Sequence, residues 1–272
     1  NDDADTPEPF KASALFLYRA ALDFRETHEP SDTPAGQTMA AQTADAQTMD
    51  KGVSIGNIMS ALIRLGVPAE QAWPYPPHTQ DETAHREQLA RDPHPSCYLS
   101  AREFQISKYF RLDQDPTRDR HLLLAQIKAV LASGLPCMFG FGAVQALEQT
   151  LADGNIPYLT PQTGEAKGIN TPVAVMGHAL VAMGYDDAKV IGDRSGALLV
   201  RNSWVSNDGG TRQPWGDGGY GWLPYEYVLE PEPASRVADC WTLVDWKSVQ
   251  RKAIAGKFGI RLGDQTPRPG RP

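Results

Sequence analysis

The chain has 272 residues, with 41% hydrophobic side chains, 22% charged side chains and a formal charge of −7. These values suit a globular protein of one large domain or two lobes, and no run approaches the ~18 apolar residues that a membrane span needs. The acidic balance argues against nucleic acid as a partner, because phosphates are held by clustered Lys and Arg.

The acidic residues 1–9 read as a solvated tail. Residues 11–26 then set Leu15, Phe16, Tyr18, Leu22 and Phe24 at helical spacing with a charged far side, which predicts a helix. Residues 31–50, rich in Ala, Thr, Gln and Asp and without aromatic anchors, are expected to form an exposed insertion loop. A second amphipathic helix is predicted over Ser54–Leu65, with Ser54 as its N-cap and Gly66 as its stop. The prolines of Trp73–Pro77 exclude a helix there and predict an extended crossing of the surface. A short helix near Ser100–Glu103, a strand over Phe104–Leu112 and a helix over Arg120–Ser133 follow.

Beyond Gly134 the texture changes to short apolar runs between Gly and Asp turns, at Pro136–Phe141, Ala179–Tyr185 and Ala197–Arg201. These read as strands. The expected class is therefore α+β: a helical lobe over residues 1–134, a β-rich lobe over 135–245, and a C-terminal tail over 246–272. The Pro/Arg-rich end of that tail, 266–272, suits docking on a partner better than independent folding. Cys97, Cys137 and Cys240 are too few and too scattered for a disulfide framework and lack zinc-site spacing. This cysteine usage favours a reducing compartment; the composition suits a soluble protein, cytoplasmic before other settings, and the compartment itself stays open.

Chemistry concentrates between Gly177 and Val228. The block holds Gly177-His178-Ala179, Gly184-Tyr-Asp-Asp187, Arg201-Asn202-Ser203-Trp204 and Trp215-Gly-Asp-Gly-Gly-Tyr220. Each piece alone has an ordinary reading as a core histidine, a strand end or a series of turns. In this order, a His opening one strand and an Asn closing the next can bring an imidazole and a carboxamide together. An amide oxygen that accepts a ring N–H fixes the orientation and tautomer of the imidazole, as the base partner of a nucleophile requires. An indole two residues after the Asn can keep water from that bond.

The combined pattern resembles the C-terminal half of papain-like (C1 family) cysteine peptidases of bacterial type. Upstream, Ala14–Tyr18, Gly52–Ile55, Leu65–Val67, Trp73–Tyr75 and Pro136–Phe141 match further landmarks, so that about 200 residues fit. The nine residues 206–214 are longer than the usual link, and the tail after Trp241 departs from the family. The resemblance implies a two-lobed fold, a helical lobe followed by a β-barrel-like lobe, and peptide-bond hydrolysis through a thioester without metal or other cofactor. It makes His178 the general base and Asn202 its orienting partner. Gly177, Trp204 and Trp215 become binding residues, Trp204 covering the Asn and Trp215 walling the leaving-group side. Met138–Val144 and Thr171–Met176 are expected to shape the pocket for the residue before the cut.

The family's nucleophile is a Cys that opens a helix upstream of the one matched to residues 11–26, with a Gln before it. Residues 1–10 contain neither. Cys97 falls at what the resemblance makes a surface turn, while Cys137 and Cys240 lie in apolar strands. The expectation is thus a peptidase acting on a peptide or protein, with its Cys-bearing segment upstream or in a companion chain. The alternative is a non-catalytic papain-like module that holds a peptide or protein partner. Transpeptidation would use the same acyl-enzyme chemistry.

Overall fold

The structure, a computed structural model, describes residues 10–28, 52–76, 87, 91–114, 119–159, 177–208, 211–230 and 237–246. The expected tail 1–9, the loop 31–50, Thr171–Met176 and nearly all of the segment 246–272 lie outside the described residues. Two compact units are formed, one from Asn1–Arg19, Ala61–Lys108 and Asp245–Pro272 and the other from Ala20–Ser60 and Tyr109–Val244.

In the first unit, Ser13 starts helix α1 (Ala14–His28): its hydroxyl accepts the Phe16 N–H at 3.1 Å and donates to the Trp73 carbonyl. Helix α2 (Ile55–Arg64) enters this unit at Ala61 and ends where Gly66 turns with φ 82°. Only Gly fits there, since a Cβ would lie 2.0 Å from the Ala101 carbonyl oxygen. Helix α3 (Pro95–Ala101) starts earlier than its apolar residues suggest, because Pro95 sits in its first turn and His94 caps it. A 3-10 turn (Arg102–Phe104) extends it. Phe16 and Tyr98 meet edge to face at 5.1 Å in a core with Leu15, Val67, Cys97 and Ala101. Cys97 is therefore not on a surface turn. It is 2% exposed, and its thiol donates to the Ala72 carbonyl at 3.5 Å.

Strand β1 (Ile106–Arg111) closes that stretch. In the second unit, Asp119 caps helix α4 (Arg120–Ala132), which leads to β2 (Cys137–Phe141) and a short helix α5 (Val144–Glu148). Strands β3 (His178–Ile191) and β4 (Arg194–Arg201) form a hairpin. The ribbon β5 (Val205–Asp208) and β6 (Thr211–Pro214) follows, then β7 (Tyr220–Pro224), helix α6 (Glu226–Leu229) and β8 (Val237–Trp246). The main sheet runs β1-β8-β2-β3-β4-β7, and its named pairings from β8 through β7 are antiparallel.

This sheet is open, which corrects the barrel-like lobe expected above. Closure requires the two end strands to pair with a matching stagger. Among the described residues, β1 and β7 instead end the order. A second correction concerns Gly184–Asp187, where an Asp turn is expected to close the strand run Ala179–Tyr185. These residues lie inside β3, where register shifts after Ala182 and after Asp186 absorb them as bulges. The turn falls later, at Gly192-Asp193, where Gly192 alone takes positive φ (62°), the pattern of a II′ hairpin.

Alternation sets the core. Cys137, Phe139 and Phe141 pair with Ala182, Leu180 and His178. The first five of these bury one face of the sheet under Leu123, Leu124, Ile127 and Leu131 of α4. His178 ends that row, at the margin of the core. Residue 239 bends β8: Asp239 adopts φ 55°, and its carboxylate accepts the Trp241 indole N–H and the Ile55 N–H at 2.6 and 3.1 Å.

Candidate active site

His178 opens β3 opposite Phe141, directly after the exposed Gly177. Asn202 follows the last residue of β4. The β3–β4 register pairs Val181 with Arg201, so one further step sets Leu180 opposite Asn202. His178, two residues from Leu180, is then the diagonal neighbour of Asn202 on the same face. That register explains how residues 24 apart in sequence meet. The His178 Nε2 and Asn202 Oδ1 lie 2.7 Å apart.

A second bond fixes what each atom is. The Trp204 backbone N–H donates to the same Asn202 Oδ1 at 3.3 Å. A backbone N–H can only donate, so the atom it meets is the amide oxygen. An amide oxygen can only accept, so the His178 proton sits on Nε2. Nδ1 is left with its lone pair and, among the described residues, with no partner. The half-buried Trp204 ring lies 4.7 Å from the imidazole, tilted by 43°. It excludes water from one side of a bond that gains strength from low polarity.

The Gly-rich run holds this pair from behind. Asn202 is 6% exposed, and its N–H donates to the Gly219 carbonyl at 3.0 Å. Gly219 presents that carbonyl from φ 94°, a conformation that L side chains rarely adopt. Trp215 lies in the core at 6% exposure, its indole N–H donating to the Leu147 carbonyl at 2.8 Å. Its backbone N–H reaches the Trp204 carbonyl at 3.2 Å, closing the base of the β5–β6 ribbon. Sequence reading missed the Gly219 and Leu147 carbonyls. Backbone acceptors leave no residue-type signal, although the three glycines after Trp215 mark a turn with special φ angles. Among the described residues, no group of three His, Cys, Asp or Glu is placed to hold a metal ion.

No protein-family model matches the chain. An uncharacterized peptidase C1-like protein of Acanthamoeba polyphaga mimivirus is 28% identical over 197 residues, which is 71% of this chain and 52% of the relative. The chain thus spans about half the length of this curated relative. Xylellain, a cysteine protease from Xylella fastidiosa, superposes with a TM-score of 0.58 at 26% identity, covering 89% of this chain and 73% of that one. The chain has the papain-like cysteine peptidase fold.

Within this papain-like chain the thiols of the second unit stand apart from the imidazole. Cys137 is four residues along β2 from Phe141, the partner of His178, a separation of roughly 13 Å at strand rise. Burial pushes its thiol up to about 12. Cys240 lies on β8, which β2 separates from β3, and burial holds its thiol well above the ordinary range. All three cysteines are free and buried. No helix among the described residues is long and apolar enough to cross a membrane.

Proposed function

We propose that this chain supplies the general base and the orienting amide of a papain-like cysteine peptidase whose nucleophilic Cys lies outside the 272 residues. The observation that carries the reading is the 2.7 Å His178–Asn202 bond, which puts the ring proton on Nε2 and leaves Nδ1 as the base. The burial of Cys97, Cys137 and Cys240 supports a thiol from elsewhere, since a nucleophilic thiol is partly exposed, and the Cys137 and Cys240 thiols are in addition raised where activation requires lowering.

In this mechanism the incoming thiol gives its proton to His178 Nδ1. The thiolate adds to the substrate carbonyl, and the peptide C–N bond breaks as the imidazolium protonates the leaving amine. Water, deprotonated by the same imidazole, then cleaves the thioester and restores the thiol. Asn202 holds the ring in place through both proton transfers. Trp204 screens the orienting bond, and the exposed Gly177 adds no side chain next to His178. Trp215 contributes from the core, through the carbonyls and N–H groups it fixes. The substrate is a peptide or protein, and the Cys-bearing segment is the companion this chain requires.

The test is labelling of the natural full-length polypeptide with a thiol-reactive peptidyl epoxide, followed by mapping of the labelled residue. The expected label falls on a cysteine other than Cys97, Cys137 and Cys240 and disappears in His178→Ala. A label on one of those three, or full peptide cleavage by His178→Ala, overturns the assignment. Stable peptide binding without label or cleavage would make this a binding module.

A further inference from the structure

We infer that Trp215 is a positioning residue for the His178–Asn202 pair, acting from the core through the Leu147 carbonyl rather than by touching substrate; its consequence for catalysis rests on the peptidase reading above. Three backbone bonds connect Trp215 to the pair. Its N–H holds the Trp204 carbonyl, its carbonyl accepts the Gly219 N–H at 2.7 Å, and the Gly219 carbonyl accepts the Asn202 N–H. Trp204 and Asn202 are in turn joined by the N–H to Oδ1 bond that identifies the amide oxygen. Both sides of Asn202, its backbone and its acceptor oxygen, therefore depend on where residue 215 stands.

What holds residue 215 is its side chain. The indole N–H to the Leu147 carbonyl is a buried bond across 68 residues, made to the C-terminal end of α5. The ring also lies over Gly221 of β7, where a Cβ would come within 2.6 Å of it. On its other side residue 215 adjoins the β5–β6 pair, whose register sets Val205 opposite Pro214. Without the indole peg, the turn from 215 to 220 keeps its internal bonds but loses its fixed height over the sheet. Asn202 Oδ1 then meets Nε2 less often, and the imidazole samples the tautomer with its proton on Nδ1, which cannot act as base.

The experiment reads the tautomer directly, by side-chain nitrogen NMR of the full chain labelled with 15N-histidine. In the wild type the neutral His178 carries its proton on Nε2. Trp215→Phe keeps a packed ring and removes the donor, and the Nε2–H preference is expected to fall about tenfold with faster exchange of that proton. In the full-length active polypeptide kcat falls about tenfold while KM holds, equivalent to about 1.4 kcal/mol. Trp222→Phe, a control on the same sheet, leaves the His178 tautomer unchanged. If Trp215→Phe does not fold, replacement by the isosteric benzothienylalanine, with sulfur in place of the indole N–H, supplies the same comparison. An unchanged tautomer ratio in a folded Trp215 variant overturns the inference. A polypeptide that cleaves no peptide and takes no epoxide label refutes the peptidase reading alone, and the tautomer measurement still decides the role of Trp215.

Discussion

Gly221→Ala tests the packing beneath the candidate active site. An added Cβ would lie 2.6 Å from Trp215 Cη2 and 2.8 Å from Cζ3, with the Gly154 carbonyl oxygen 3.1 Å away on another side. Carbon atoms rest at about 3.5–4.0 Å, so the indole must retreat by roughly 1 Å. Gly221 is the second residue of β7 and paired with Val200, so the backbone is held against giving way instead. Overpacking of this kind costs about 1–3 kcal/mol. A 1 Å retreat also breaks the 2.8 Å bond to the Leu147 carbonyl, worth about 1 kcal/mol more. The expected loss is about 2–4 kcal/mol, or roughly 5–15 °C in Tm for a unit of this size. Urea denaturation followed by Trp fluorescence measures it, with a lowered midpoint and an unchanged slope expected. An unchanged midpoint would refute the packing argument. So would a lowered midpoint with the Trp215 indole N–H still protected from exchange, because the ring would then not have moved.

Other consequences follow from the same contacts. On the peptidase reading, His178→Ala lowers kcat/KM by about 10² to 10⁴, the usual weight of a positioned base, as measured by peptide hydrolysis in the full-length polypeptide. The Cys137 and Cys240 thiols resist iodoacetamide at pH 8 in the folded protein and react on unfolding, which mass spectrometry of the two states distinguishes. Because burial raises the folded Cys137 thiol to about 12 above an unfolded value near 9, its contribution to stability is full below about pH 9 and is lost as pH rises toward 12. Denaturant midpoints across that range check the sign. Arg120→Met removes two 2.7 Å bonds from the guanidinium to the Val228 and Val237 carbonyls, and a loss of about 3 kcal/mol is expected in urea denaturation. Arg120→Lys does not rescue it, since one ammonium lacks the forked donors that span both carbonyls.

The helices were legible where local chemistry speaks. Ser54 accepts the Asn57 N–H at 3.2 Å and Gly66 and Gly134 take positive φ, as their places in the sequence suggest. The His178–Asn202 spacing was legible for the same reason, since two strands of alternating residues allow few registers. Gly184–Asp187 misled because a bulge and a turn use the same residue types, and only the pairing partner distinguishes them. Cys97 misled because its burial depends on Ala72 and α1, far away in sequence. The openness of the sheet depends on which strands end it, a property of the whole order rather than of any strand. Trp215 stood out in the sequence as an aromatic beside glycines, but its partner is a backbone carbonyl, which every residue carries.

The closed base of the β5–β6 ribbon separates what the ribbon is from where it is attached. Since the Trp215 N–H already bonds to the Trp204 carbonyl, the chain between them is a loop whose ends are tied together before its interior is considered. Lengthening such a loop costs little, about 0.6 kcal/mol for each doubling. The strands 205–208 and 211–214 are therefore a natural graft point. A tag, a fluorophore or a foreign binding loop inserted between them would leave the Trp215 N–H to Trp204 carbonyl bond at the base in place.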